Sequence, residues 1–325
     1  MIKRRQVLKA LGGGCAVAVA RSGRTHPTGI WPNRPVKLTI ASPPGGPPAP
    51  TLRVLADNVS RLTGQPVVVE NRPGSSAVMP AMLLQNAAPD GYTLGQGTMG
   101  VFRLPYVQRL AWDPLRDLSL IAGISGYALG TVVAADSALS DWARLVEWAR
   151  AHPGALSYGS TGVLTTPHLT MEDVAIRLGL QFHHVPYKGS AEVTHAVLSG
   201  QINAAADSTG FIPYVEAGKL RLLCTWGEKR LARFPSVPTL RELGLPIVQT
   251  SPYGLIGPGK MDPALMDRIH EVFKEAMEQK NHSEALERFD QRLAYMSPDQ
   301  YRLFATQAVA SERSVIERLG LARVR

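Results

Sequence analysis

The chain has 325 residues, of which 45% are hydrophobic and 19% charged, a composition typical of a globular protein long enough for two domains. Its net charge is +9, yet the charges are scattered without a basic run, which argues against nucleic acid as a partner. A mild positive charge suits the capture of small anions instead.

The first twenty residues, MIKRRQVLKALGGGCAVAVA, resemble an export signal of the twin-arginine type. A pair of arginines at positions 4–5 precedes a short, weakly apolar stretch that ends in Ala-Val-Ala, which fits a cleavage site. We therefore expect a signal peptide over residues 1–20, a mature chain beginning near Arg21, and a periplasmic location. Lipidation at Cys15 is the alternative, and it is disfavoured because Gly12 stands where a lipobox carries an aliphatic residue.

The first elements predicted after the signal alternate between strand and helix. A strand at 36–40 leads into the loop 43–46 and then into a helix whose apolar residues recur at helical spacing until Gly64. Further strands follow at 67–69 and 92–94. This order is the start of a βαβ unit, whose loop lies at the carboxyl edge of a parallel sheet, where ligands of open α/β sheets bind.

A glycine motif follows the strand at 92–94. Gly95, Gly97 and Gly100 match the pattern GxGxxG, but Pro105 comes so soon that we expect no phosphate-binding helix and reject dinucleotide binding. We interpret the motif as a tight loop that brings Thr98 and backbone amides close to a small ligand.

A second series of alternating elements begins near the middle of the chain. Ser140 is expected to cap a helix, and the loop 159–166 then leads to Pro167 in the first turn of another. Ser190 is expected to cap a third helix, after which a strand delivers Asp207. Asp207 either caps the loop that follows it or bonds to ligand or water, and the sequence leaves both interpretations open.

Signatures of catalysis and of cofactor binding are missing from the sequence. It has no GxSxG elbow, HExxH pair or Walker loop, and its histidines at 168, 183, 184 and 195 lack the spacing of metal ligands. Cys224 lies in an apolar run and is interpreted as a buried small hydrophobe. We expect no metal, no cofactor and no enzymatic activity.

Two loops offer binding chemistry. The loops 43–46 and 159–166 each join a strand to a helix N-terminus, whose amides and partial positive charge can hold a carboxylate without a cationic side chain. Their glycines allow close approach, and Ser160, Thr165 and Thr166 add hydroxyl donors. Each loop alone is more often ordinary turn chemistry, but two such loops facing each other would hold the two ends of a dicarboxylate.

An ordered set of motifs makes the chain similar to a known family. The motifs are VKLTI and PPGG within 36–46, GQPVVVENRPG at 64–74, APDGYTL at 88–94, VPYKG at 185–189, AGKLR at 217–221 and VPT at 237–239. From residue 31 to its end the chain resembles the substrate-binding proteins of tripartite tricarboxylate transporters, the Bug-type receptors. The resemblance implies a two-lobed periplasmic-binding-protein (Venus-flytrap) fold of the α/β class, each lobe a mixed, mostly parallel sheet flanked by helices.

The resemblance also implies how the chain is divided and what it does. One lobe is expected at 31–125 plus 252–325 and the other at 126–251. The implied protein is a monomeric receptor that captures a small organic carboxylate for the membrane subunits of a tripartite importer. Amides, hydroxyls and waters, and not an arginine clamp, would hold the ligand. A sensor that hands its liganded form to a membrane signalling protein is the alternative, and an exported enzyme is disfavoured.

The chain departs from the family pattern in its first loop. Ala49 stands where the family usually has Asp, and neighbouring prolines remove amide donors. Together with Val78, which we expect to make the pocket wall more apolar, Ala49 favours a carboxylate without an α-amino group. Arg72 and Lys188 are interpreted as structural cations. The candidate ligand-binding residues are Pro44, Gly45, Gly46, Ser76, Thr98, Gly162, Thr165, Thr166 and Asp207.

Overall fold

The computed structural model describes residues 31–46, 48–110 and 112–321. The predicted signal peptide, the mature start near Arg21 and Cys15 lie outside the described residues. No helix in the described ranges is long and apolar enough to cross a membrane.

Strands and helices alternate along most of the chain. The strands are β1 (Val36–Ile40), β2 (Val67–Asn71), β3 (Thr93–Gly97), β4 (Leu118–Tyr127), β5 (Leu129–Ala134), β6 (Leu156–Ser160), β7 (Phe182–Pro186), β8 (Ala204–Ser208), β9 (Leu220–Thr225), β10 (Ser251–Pro258) and β11 (Leu293–Met296). The helices are α1 (Pro48–Thr63), α2 (Met79–Leu84), α3 (Met99–Val107), α4 (Trp142–Ala151), α5 (Thr166–Leu178), α6 (Ser190–Leu198), α7 (Ile212–Glu216), α8 (Pro263–Met277), α9 (Lys280–Glu287) and α10 (Pro298–Arg318).

These strands form two mixed sheets. The six-stranded sheet has the order β11-β4-β10-β3-β1-β2, and the five-stranded sheet has the order β7-β6-β8-β5-β9. Within them β1 runs parallel to β2 and β3, and β6 runs parallel to β7 and β8, whereas β10 and β5 are antiparallel to their neighbours. We call the first sheet with its helices lobe 1 and the second with its helices lobe 2. This architecture confirms the predicted α/β fold of two mixed sheets flanked by helices. The expectation that the sheets are mostly parallel is wrong, because five of the nine strand pairs in the described residues are antiparallel.

Each sheet has an apolar core on both faces. In lobe 1, α1 and α8 cover one face and α2, α3 and α10 cover the other. In lobe 2, α4 and α5 cover one face and α6 covers the other. Cys224 is fully buried in the core of lobe 2, which confirms the prediction that it is a core residue. Desolvation raises the pKa of its thiol to about 12.

Two of the predicted helix caps are wrong. Asp141, and not Ser140, caps α4, because its carboxylate accepts a hydrogen bond from the amide of Arg144 at 2.9 Å. Ser190 is the first residue of α6 and not its cap, since its hydroxyl donates to the Asp207 carboxylate instead. Helix α10 begins with a capping box, in which the Ser297 hydroxyl accepts from the amide of Gln300 and the Gln300 side chain accepts from the amide of Ser297.

The segment after β3 also differs from expectation. Pro105 was expected to leave no room for a helix, yet it lies inside α3, where it removes a single helical hydrogen bond. The glycine motif does create a close approach, because a Cβ at Gly100 would lie 2.5 Å from the carbonyl oxygen of Ser76. Ser76 itself has a left-handed φ of 56°, so a strained segment packs against the start of α3.

The chain passes between the lobes beside a pair of aromatic rings. β4 ends at Tyr127, β5 begins at Leu129, and β10 returns to pair with β4. Tyr127 and Tyr253 stack there with ring centroids 5.0 Å apart. The connection between the lobes is therefore a short crossing of paired strands.

Candidate functional site

A cavity of about 130 Å³ lies between the two lobes. Five of the predicted site residues line it, namely Gly46, Ser76, Thr98, Thr165 and Thr166. The other four predicted site residues, Pro44, Gly45, Gly162 and Asp207, are not part of its lining.

The wall contributed by lobe 2 is rich in hydroxyl groups because three parallel strands end there. β6, β7 and β8 are neighbours, so the loops that follow them meet at one edge of the sheet. The residues that these loops bring to the cavity are Thr161, Thr165, Thr166, Pro167, Lys188, Gly189, Ser190 and Ser208. The helices α5 and α6 both point their N-termini at this edge, which favours an anion.

The two neighbouring threonines of this wall have different hydrogen-bonding roles. Thr165 Oγ1 donates its hydrogen to the carbonyl of Gly162 at 2.7 Å, so it can offer a ligand only a lone pair. Thr166 Oγ1 accepts from Arg103 Nη2 at 3.1 Å and has no acceptor for its own hydrogen among the described residues. Thr166 is therefore the hydroxyl donor of the pair.

The backbone groups of Gly162 form hydrogen bonds within its own loop. Its amide donates to Ser160 Oγ at 3.3 Å, and its carbonyl accepts from both Ser160 and Thr165. The role of Gly162 in the structure is to hold the loop in shape.

Asp207 lies behind the wall and is fully buried. Its carboxylate accepts from Ser190 Oγ and, at 2.7 Å, from the amide of Ser208, and both of these donors belong to residues that line the cavity. Desolvation raises the pKa of Asp207 to about 6, although the hydrogen bonds act in the opposite direction. The structure thus favours the first of the two interpretations, in which Asp207 fixes the loop that follows it.

Two histidines support the same loop from outside the cavity. The rings of His168 and His184 pack with their centroids 4.1 Å apart. His184 Nε2 forms a hydrogen bond with Ser160 Oγ at 2.7 Å, and His168 Nδ1 accepts a hydrogen bond from the amide of Leu164. Burial lowers the pKa of both imidazoles to about 4, so both are neutral at pH 7. Within the described part of the chain no group of histidine, cysteine and carboxylate side chains is placed to hold a metal ion.

The wall contributed by lobe 1 is mostly apolar or already hydrogen-bonded. Its polar side chains Gln96 and Thr98 bond to protein groups, Gln96 to the amide of Ala41 and to Tyr127 Oη, and Thr98 to the carbonyl of Ala77. Ser42 also lines the cavity, and its buried hydroxyl has no partner among the described residues.

Ala49 and Val78 do not form part of this wall, so the expectation that they shape it directly is wrong. Both are fully buried, Ala49 between α1 and the six-stranded sheet, and Val78 in the core on the opposite face. The reason is the start of α1 at Pro48, which turns position 49 towards the sheet. The apolar character of the wall comes from other residues, among them Pro43, Pro48 and Met99.

Arg103 is a cavity residue that sequence reasoning missed. It is 2% exposed and forms a two-point ion pair with Glu312 of α10, at 2.6 and 2.9 Å. It also reaches lobe 2, where Nη1 donates to the carbonyl of Leu164 at 2.7 Å and Nη2 to Thr166. The signal in the sequence was a single charge inside the apolar run Val-Phe-Arg-Leu at the start of a helix.

A second contact joins the lobes near Arg103. Ser76 Oγ donates to the carbonyl of Val163 at 2.9 Å, so this predicted ligand-binding hydroxyl is used in a bond across the cleft. Pro43 of lobe 1 also packs closely on Gly189 of lobe 2, where a Cβ would come within 2.7 Å of the proline ring. The two sides of the cavity are therefore in direct contact at its rim.

Two α/β lobes with a cavity between them are the architecture of the two-lobed solute receptors. The comparison with family models agrees. The model described as the tripartite tricarboxylate transporter family receptor matches residues 51–321, and the chain belongs to this family.

Similar proteins cover nearly the whole chain. A Cupriavidus necator protein described as the UPF0065 protein in the gbd 5′ region is 51% identical over 293 residues, 90% of each chain. Protein BugT of Bordetella pertussis is 27% identical over 311 residues, covering 94% of this chain and 95% of BugT. An R. palustris protein solved with adipate has a TM-score of 0.84 at 26% identity, covering 90% of this chain and all of that one. The periplasmic binding protein BugD shares the fold with a TM-score of 0.85 at 20% identity, over 90% of this chain and 100% of BugD.

Proposed function

We propose that this protein is a periplasmic receptor that captures a small organic carboxylate between its lobes and delivers it to the membrane subunits of a tripartite importer. The observation that carries the proposal is the lobe 2 wall, where the Thr166 hydroxyl and the N-termini of α5 and α6 meet at one cavity. Lys188, which the sequence suggested to be a structural cation, also lines this cavity. Membership of the receptor family and the likeness to a protein solved with adipate support the same ligand class.

The mechanism that we propose is hinge closure. The proposed hinge lies near residues 125 and 252, where β4 and β10 pair beside the stacked tyrosines. Closing the cleft removes water from the bound carboxylate and strengthens its hydrogen bonds to lobe 2. Importer subunits would recognise the closed arrangement of the lobes.

A first experiment screens for the ligand class. Thermal shift is measured with dicarboxylates, tricarboxylates, aromatic acids and nicotinate, because a ligand that binds only the folded protein raises the melting temperature by mass action. At least one carboxylate is expected to raise it. A complete lack of response to carboxylates, together with a response to sugars or amines, would refute the proposal.

A second experiment tests the site with a matched pair of variants. Thr166→Val removes the hydroxyl donor and is expected to weaken carboxylate binding about tenfold or more, since a hydrogen bond to a charged group contributes about 1.5–3 kcal/mol. Thr165→Val is the control, because its hydroxyl already donates to Gly162 and should affect binding less. Calorimetry that shows equal affinities for Thr166→Val and the unaltered protein would contradict the assignment.

Export by the twin-arginine route is tested separately. Replacing Arg4 and Arg5 by lysine is expected to abolish delivery to the periplasm, because that route requires the arginine pair. The measurement is the amount of receptor in periplasmic and cytoplasmic fractions. An unchanged periplasmic yield would exclude the route without affecting the binding proposal.

A further inference from the structure

Two contacts between the lobes involve the same pair of helices, α10 of lobe 1 and α5 of lobe 2. One contact lies at the cavity, where Arg103, paired with Glu312 of α10, donates to Thr166 at the start of α5. The other joins the two helices directly, because Arg318 of α10 donates to both carboxylate oxygens of Asp173 in α5, at 3.0 and 3.1 Å. The lobes are therefore held together at two separate points on these helices.

The second contact lies away from the cavity. Asp173 is seven positions after Thr166 in α5, about 10 Å along the helix axis. Arg318 is six positions after Glu312 in α10, about 9 Å along its axis. Neither Asp173 nor Arg318 lines the cavity. A ligand held at Thr166 is thus out of reach of both side chains.

The surroundings of Asp173 favour a contact stronger than that of two ions in open water. Asp173 is 5% exposed, and its carboxylate also accepts from Arg177 of the same helix at 3.1 Å. The two bonds from Arg318 have the two-point geometry that suits a guanidinium and a carboxylate. Because 39% of the Arg318 side chain is exposed, water screens the pair in part and keeps its contribution modest.

Opening of the hinge would separate Asp173 from only one of its two partners. Arg177 moves with Asp173 because both belong to α5, so their bond is independent of the motion of the lobes. Arg318 belongs to the other lobe, so its two bonds exist only while α10 and α5 are close. The carboxylate thus has one partner that is independent of closure and one that depends on it.

We infer that Asp173 and Arg318 are positioning residues for ligand capture, which form a clasp outside the cavity, stabilise the closed arrangement and so increase the affinity for any ligand that the cavity accepts. The inference rests on the hinge closure of the proposed function and adds residues that no ligand touches. Because closure and binding are coupled, the free energy that the clasp gains on closing contributes to the binding constant.

The test compares two variants that remove the same charge from the same carboxylate. Arg318→Gln breaks the clasp, whereas Arg177→Gln breaks the bond within α5 and is the control. Calorimetry uses succinate, citrate, benzoate and nicotinate, one from each class of the thermal-shift screen. Arg318→Gln is expected to weaken binding about three- to fivefold, by the same factor for each probe that binds, and Arg177→Gln to leave it unchanged.

Two results of this comparison overturn the inference and leave the proposed function standing. The first is equal affinity in Arg318→Gln and the unaltered protein. The second is an equal loss in Arg318→Gln and Arg177→Gln, which would show an effect of charge alone.

Binding rates separate a clasp from a general loss of structure. The clasp forms after the ligand has entered, so Arg318→Gln should raise the dissociation rate and leave the association rate nearly unchanged. Asp173→Asn should act in the same direction, and Asp173→Asn/Arg318→Gln should lose no more affinity than the larger of the two single losses, because the same bond is removed. Additive losses, or a change confined to the association rate, would contradict the clasp.

A measurement on the empty protein keeps the inference and the proposed function distinguishable. Spin labels on Glu147→Cys of α4 and Gln307→Cys of α10, both at exposed positions, report the distance between the lobes, and Cys224 is buried. The fraction of molecules at the separation of the closed arrangement should fall in Arg318→Gln and not in Arg177→Gln. If none of the four probes binds, identical distance distributions in all three proteins overturn the inference. The lower closed fraction in Arg318→Gln, with no carboxylate bound in the screen, supports the clasp and counts against the proposed function alone.

Discussion

Replacing Asp207 by asparagine should change how the stability of the protein depends on pH. Asp207 is fully buried, and desolvation raises the pKa of its carboxyl to about 6, whereas an aspartate in an unfolded chain titrates near pH 4. A group whose pKa is raised on folding stabilises the folded state while it is protonated. That stability is fully present below about pH 4 and is lost as the pH rises through about 6.

The magnitude follows from the shift. A rise of about two pKa units corresponds to about 3 kcal/mol of unfolding free energy between full protonation and full ionisation. About 2 kcal/mol of this falls between about pH 4.5 and pH 7.5, where measurement is practical. The side-chain amide introduced by Asp207→Asn carries no titrating proton, so this part of the pH dependence should disappear. The oxygen of that amide can still accept the Ser208 amide, as the carboxylate does in the unaltered protein.

The assay is urea unfolding of both proteins at about pH 4.5 and about pH 7.5, with the difference between the two pH values compared across variants. His168 and His184 titrate in the same range with the opposite sign, because their lowered pKa makes stability rise with pH, but they are common to both proteins. Asp57→Asn, at an exposed position of α1, controls for the loss of one negative charge. An identical pH dependence in Asp207→Asn and the unaltered protein would refute the argument from desolvation.

Three further predictions concern buried groups. Arg103→Met leaves Glu312 as an unpaired buried carboxylate and should destabilise the protein by about 3–5 kcal/mol, whereas Arg103→Met/Glu312→Met should recover most of the lost stability. Urea unfolding of both variants and of the unaltered protein measures these differences in unfolding free energy. Equal losses of unfolding free energy in the single and the double variant would count against a tight ion pair. Ala49→Asp should lower stability by about 2 kcal/mol or more through burial of a carboxyl in the lobe 1 core, so a melting temperature within a degree or so of the unaltered protein would contradict the placement of Ala49. Cys224 should resist thiol reagents until urea unfolds lobe 2, and fast labelling of the native protein would disprove its burial.

Local signals were enough to predict the alternation of strands and helices at the start of lobe 1 and part of the cleft. The run of glycine, serine and threonine before Pro167 predicted a loop leading into a helix, and Thr165 and Thr166 do reach the cavity. Such signals are local because a cap or a turn depends on residues only a few positions apart.

The features that were missed depend on long-range packing. Arg103 and Glu312 are 209 positions apart, and no short motif connects them. The side of α1 on which Ala49 falls depends on where the helix begins, and a shift of one residue turns a side chain by about 100° around the helix axis. The sequence also did not distinguish Ser140 from Asp141 as the cap of α4, because adjacent residues of similar capping propensity compete for one position.

The bridge from Arg103 to lobe 2 bears on the hinge closure that we propose. Its bonds to Leu164 and Thr166 are made between protein groups alone, so the chain itself contributes to holding the lobes together. Apparent affinity rises with the fraction of molecules already in the binding-competent arrangement, which makes scarce solutes easier to capture. The same shift towards the closed arrangement increases the number of closed receptors without ligand that a transporter would meet. Under the proposed closure mechanism, the Arg103 bonds, together with the other contacts between the lobes, set a compromise between capture of scarce solutes and false signalling by empty receptors.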